Sequence, residues 1–309
     1  MSYQKSIYDA VSFLFGGGLA NDLQEWMNDL FTTILAIVDG GLVTSVLAAL
    51  SAVACSLLIL YFFMDLMDQA KRDMFSFEKM IIAFIKFLAA VVVLICLPDL
   101  IKYLVQIGHA VYQFAANDDT ISGALVSGNG NAISLFPDVA REDMATMPPW
   151  DNNTQDAFTD ALGKGVTGFL GHVGLWVECM IINLIGMIMR IVGFFLCASN
   201  ALWVLVRATF SPFAVVQLFE DGSRSSGMRY LKGFAADCIT MAVYVVILLA
   251  ASAVTNGLVQ NYIEVSEITF ENMETIIDWS TTAILLVPQL VAVGAMGGGG
   301  KVAHDIMGA

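Results

Sequence analysis

The sequence predicts an all-α fold: a polytopic transmembrane helical bundle of about five spans, one of them unusually long, with an N-terminal amphipathic helix ahead of them. Three observations carry this expectation. Of the 309 residues 58% are hydrophobic and only 14% charged, whereas soluble domains average about 25% charged, so the chain lacks polar side chains enough for a water-facing shell. Mean hydropathy is high, at +0.75. Several apolar runs approach or exceed the roughly 20 residues that a helix needs to cross ~30 Å of hydrocarbon. The opening stretch, MSYQKSIYDAVSFLFGGG, has only a brief apolar patch and predicts no cleavable signal peptide.

Taken in order, residues 19–38 place Leu19, Leu23, Trp26, Met27, Leu30, Phe31 and Ile34 at helical spacing, with Asp22, Glu25, Asn28 and Asp29 largely between them. Such a helix suits either the outer leaflet, with Trp26 at headgroup level, or ordinary packing against the bundle. A first span covers about 42–64 and a second about 80–97, ending at Pro98. Residues 99–116 then keep a helical rhythm with a polar stripe of Asp99, Lys102, Gln106, His109 and Gln113. A polar stretch follows at 117–165. From about 168 to 210 there is no loop signal, which fits one long helix or two tight spans. Further spans cover about 234–256 and 276–296, the last bent at Pro288.

Charge separates the alternatives. With Lys71, Arg72 and Lys79 in the cytoplasm, a single long helix also puts Arg207, Arg224, Arg229 and Lys232 there, whereas two spans would expose them outside. The single helix gives five spans with the N-terminus out and the C-terminus in. Inner segments then hold eight Lys/Arg and seven Asp/Glu, outer segments four and nineteen, so nearly all of the net charge of −14 lies outside. An acidic outer face argues against an externally anchored nucleic-acid binder. It leaves open a path for nucleic acid or protein through an assembly. The chain divides into an extracytoplasmic segment 1–41, a two-span region 42–116, a polar outer loop 117–165, a region 166–296 with the long helix, hairpin and last two spans, and a Gly-rich cytoplasmic tail 297–309.

Ionisable residues inside a span cost at least ~2.5 kcal/mol near its centre, so each needs a partner or a wet cavity. On the long helix His172, Asn183 and Arg190 fall within about 20° of one another at 100° per residue. Glu178, Asn200 and Arg207 form a second polar face roughly 100° away. These faces fit a lumen or subunit contact in an oligomer, or pairing that fixes helix packing. Arg190 and Glu178 are ~18 Å apart along the helix and cannot pair with each other. Lys86 is placed to snorkel. Arg207 and Asp237 stand at the same end of consecutive spans and are expected to pair.

No enzyme site is legible. The five cysteines lie in apolar runs without a C-x-x-C pair and read as small buried hydrophobes, and the three histidines have no metal-ligand spacing. No catalytic residue, cofactor site or metal site is expected. The segment GAMGGGGK at 294–301 has Ala295 at the first glycine position of a P-loop and Val302 where a hydroxyl must follow the lysine. It follows a span rather than a buried strand. Its glycines are expected to weaken helix, leaving Lys301 as a terminal anchor or the small residues as a surface for close helix approach.

Between the long helix and the fourth span runs RATFSPFAVVQLFEDGSRSSGMRYLKGFAADCITMAVYVVILLAA, residues 207–251. Pro212 is expected to end the helix at Ser211, a short amphipathic piece to follow, and Arg229, Tyr230 and Lys232 to anchor the next span. This arrangement resembles the TrbL family of polytopic conjugation proteins, whose type IV secretion relatives include the sixth VirB protein. The resemblance covers about 168–256, with Tyr230-Leu231 where relatives often have Trp-Leu. It implies a non-enzymatic, oligomeric subunit of a bacterial type IV secretion or conjugative transfer channel in the inner membrane. The implied partners are lipid, further copies of the chain, other channel subunits, a cytoplasmic ATPase, and translocating DNA or protein. The alternative is a secondary transporter or other small-solute channel, since Pro98 and Pro288 interrupt apolar runs.

Overall fold

The computed structural model describes residues 9–10, 13–14, 18–71, 77–117, 166–221, 226–262 and 279–308. Six helices occupy them: α1 (Gly18–Asp39), α2 (Leu42–Lys71), α3 (Phe77–Asn117), α4 (Val166–Asp221), α5 (Ser226–Tyr262) and α6 (Trp279–Met307). Among the described residues there is no strand. Five of the helices, α2 to α6, are long and apolar enough to cross a bilayer. The chain is a multi-pass, all-α membrane protein.

The outward faces explain why water is the wrong solvent. On α2, Val53, Leu60 and Phe63 are exposed, and on α3 Ile85, Ile95 and Phe114 are. Soluble monomers rarely expose contiguous apolar patches beyond a few hundred Å². Cys96 is also exposed on α3, so not all five cysteines are buried; Cys179, Cys197 and Cys238 are. What α2 does bury is a narrow seam, Val43, Leu47, Ala54 and Leu58. Their four- and seven-residue spacing is that of one helix facing another along a single stripe.

The long helix is single. α4 has 56 residues, about 84 Å at 1.5 Å per residue, and so exceeds one hydrocarbon thickness. It does not end at Ser211 as expected: the helix carries Pro212 inside it and continues to Asp221, so the amphipathic piece is its last turns. Pro212 lacks the N–H that Ala208 C=O would accept. The Ser211 hydroxyl donates to that carbonyl at 2.6 Å instead. Proline is tolerated in membrane helices where a side chain re-satisfies the freed group in this way. Likewise α3 runs on through Pro98 and α6 through Pro288.

The glycine run is helical as well, against expectation, so 297–307 prolongs the last span rather than forming a separate tail. Four glycines lose about 4 kcal/mol of helix propensity relative to alanine. A buried stripe holds the register on both sides: Leu285, Gln289, Ala292 and Met296 before the run and Ala303 after it. In hydrocarbon an unpaired backbone group costs several kcal/mol, which keeps such a segment helical.

The chain divides into two compact units. One comprises residues 1–26, 115–196 and 244–297. Here Leu23 and Phe13 pack on α4 at Gly193 and Gly186, where an added Cβ would sit 2.7 Å and 3.1 Å from their side chains. Trp26 meets Phe194 edge-on at 5.0 Å, and Gln24 donates to Ala116 C=O at 3.0 Å. The other unit comprises 27–114, 197–243 and 298–309. In it Phe31 of α1 packs on Tyr112 and His109 of α3, at 5.1 Å and 5.3 Å between rings. Gly41, with φ +84°, turns the chain from α1 into α2. In the first unit α1 buries Leu19 and Leu23, and in the second Met27, Phe31 and Ile34. Of the two settings open to this helix, bundle packing is the one it adopts.

Candidate functional site

Among the described residues, Glu178, Arg190, Asn200 and Arg207 of α4 each meet another element. In the first unit Glu178, buried, accepts from the Thr282 hydroxyl of α6 at 3.1 Å. Arg190 lies 2.6 Å from the Asp22 carboxylate of α1 and 5.6 Å from the Phe13 ring centre. The two charges that could not reach each other along the helix each found a different element. Asn183 is half-buried on the same helix. His172 lies on α4, but its side chain is outside the described residues. Gln289, one residue past Pro288, donates to Phe13 C=O at 3.0 Å.

In the second unit the expected contact is present and larger than expected. Arg207 Nε of α4 lies 3.1 Å from Asp237 Oδ2 of α5, and His304 Nε2 of α6 lies 3.0 Å from Asp237 Oδ1. Asn200 donates to Asp237 C=O at 3.1 Å, and Tyr230 donates to Arg207 C=O at 3.0 Å. One buried carboxylate thus ties three apolar helices, with Arg207 and His304 half-buried around it. Gly233 makes room: a Cβ there would strike the Arg207 guanidinium and lie 3.3 Å from the His304 ring.

The remaining hairpin positions serve closure. Gly227 packs against Ala214 C=O, Ser226 donates to Gln217 at 2.8 Å, and Lys232 Nζ lies 3.5 Å from Gly308 C=O. Pro212 is buried and Arg229 exposed. Arg224 lies outside the described residues.

Sequence reasoning missed Asp22, His304, Thr282, Gly186, Gly193 and Gly233. The two α4 glycines had a signal, a seven-residue spacing that puts both on one face. His304 was hidden by the expectation that the helix fails at the glycines. The cluster offers acid–base groups but no metal cage: no group of three or more His, Cys, Asp or Glu side chains is placed to hold an ion among the described residues. No protein-family model, curated protein or solved structure matches this chain.

Proposed function

We propose that the chain is a non-enzymatic subunit of a bacterial type IV secretion or conjugative transfer apparatus, oligomeric in the inner membrane, with its N-terminus out and C-terminus in. The observation that supports this reading most is the α4–α5 hairpin. A long helix leads to re-entry at Arg229, Tyr230 and Lys232 and a further span, which is the part of the arrangement behind the TrbL resemblance that the fold keeps; the expected break at Pro212 is not kept. Self-association has its own support. A Cβ added at Gly294, Gly297, Gly298 or Gly300 would meet nothing within 4 Å, and small helical residues let a neighbouring helix approach closely in lipid.

Deleting the gene in its host and measuring conjugative transfer or protein export tests the role. Loss of transfer, with the tagged chain co-purifying with channel subunits and a secretion ATPase, is the expected result; normal transfer removes the proposal. Labelling Ser226→Cys with an impermeant thiol reagent tests the orientation. Reaction only after the membrane is opened fits a cytoplasmic hairpin.

The transporter alternative has less behind it, because α3 and α6 pass through their prolines unbroken. What favours it is the Arg207–Asp237–His304 cluster, since ionisable groups within spans often mark proton or ion paths. Reconstitution alone in vesicles separates the readings: a transporter moves a solute or protons without partners.

A further inference from the structure

A cavity of about 410 Å³ opens between the end of α2 and the start of α3, within a single unit. It is lined by Tyr61, Met64, Met67, Asp65, Asp68, Lys71 and Lys86. Its position is informative. The apolar span of α2 ends at Asp68 and that of α3 begins at Met80, so the cavity sits where spans leave hydrocarbon and lipid headgroups lie. Lys86 belongs to an apolar run, where an ammonium is costly, yet its side chain lines this cavity beside Asp65 and Asp68, as a snorkelling lysine would.

Among the described residues the lining carries two carboxylates, Asp65 and Asp68, and two ammonium groups, Lys71 and Lys86. A ligand of one sign would meet repulsion from half of them. A zwitterion of the right polarity would not. We propose that the cavity holds the headgroup of an ethanolamine phospholipid, its phosphate on Lys71 and Lys86 and its primary ammonium on Asp65 and Asp68. Both aspartates make other contacts, but a carboxylate has about four lone-pair sites and can accept further donors. The acyl chains have a surface to follow: Leu60 and Phe63 on α2 and Ile82 and Ile85 on α3 are exposed. Choline carries the same charge as ethanolamine but no N–H, so it cannot donate to the aspartates.

The full-length protein, delipidated and offered equal amounts of phosphatidylethanolamine, phosphatidylcholine and phosphatidylglycerol, is examined by native mass spectrometry. Phosphatidylethanolamine should be retained roughly tenfold over phosphatidylcholine, the ratio expected for a charge-assisted hydrogen bond, and above phosphatidylglycerol. The double change Asp65→Asn, Asp68→Asn should remove the preference over choline, and Lys86→Gln should lower retention of both zwitterionic lipids. Soluble phosphoethanolamine at matching concentration should leave the lipid bound. Equal retention of ethanolamine and choline lipids by the unaltered protein overturns the proposal without recourse to any variant. So does phosphatidylglycerol binding above phosphatidylethanolamine, which would make this an anion site. Displacement by soluble phosphoethanolamine overturns the lipid assignment.

Discussion

Helices α2 and α3 are at least as apolar as α5 and α6, yet they are buried to very different degrees. In the most apolar windows 17% of α2 and 22% of α3 are buried, against 50% of α5 and 44% of α6. Hydropathy therefore does not rank these helices by depth in the protein. The difference lies in what their faces offer. α5 presents Gly233, Ala236, Thr240 and Ala242 with Asp237 among them, and α6 presents Thr282, Gln289 and Ala292. Small residues let backbones approach, and polar groups need protein partners. α2 has small residues too, with Ala48, Ala49 and Ala52 exposed, but it carries no charged or amide side chain between Leu42 and Met64, and its exposed Leu57, Ile59, Leu60 and Phe63 are as content in lipid as in a core.

The strongest way to break this contrast is at Asp237. Asp237→Ala leaves Arg207 and His304 facing one another without their shared carboxylate, and should destabilise the protein by about 3 kcal/mol. Thermal unfolding in detergent, followed by tryptophan fluorescence, measures it. An Arg207→Gln, Asp237→Asn cycle isolates the pair; exchanging the charges is less clean, because Arg at 237 would confront His304.

Next comes one added methyl. A Cβ on Gly108 of α3 would lie 2.5 Å from Cys238 C=O of α5, a backbone atom that cannot swing away. Overpacking of about 3 kcal/mol, less about 1 kcal/mol gained in helix propensity, leaves Gly108→Ala about 2 kcal/mol less stable. Gly174→Ala, where the new atom meets nothing within 4 Å, should instead be neutral or stabilising in the same assay. Equal outcomes for the two would show that close approach does not set the burial of these helices.

Smaller is Ser211→Ala, which leaves Ala208 C=O beside Pro212 without its donor. A loss of about 1 kcal/mol is expected, with faster amide exchange in the turn around Pro212. Smallest of all is Ile95→Ala. Ile95 is 73% exposed on α3, and its truncation should leave the unfolding midpoint in lipid unchanged. A destabilisation of the size seen for buried isoleucines, about 2 kcal/mol or more, would place that face against protein, either a partner or another copy.

Much of the architecture was legible because it depends on counting. The number of spans follows from run length against bilayer thickness, and α4 reads as one helix from the basic residues at its end. Arg207 with Asp237 was legible for the same reason, since both stand at one end of a hairpin. The proline and glycine boundaries were misread because the propensities used were measured in water. There a broken helix hands its backbone to solvent; in hydrocarbon the helix goes on, with Ser211 covering for Pro212.

The sequence by itself determined that this chain is a multi-pass membrane protein, and which residues are at stake inside its apolar runs, because apolar length and charge are local properties. Only the tertiary structure decided which face of each helix turns inward, that Asp22 answers Arg190, and that His304 joins Asp237. Those choices rest on shape and on partners far apart in the chain. In a solvent as apolar as leucine, hydrophobicity cannot tell inside from outside.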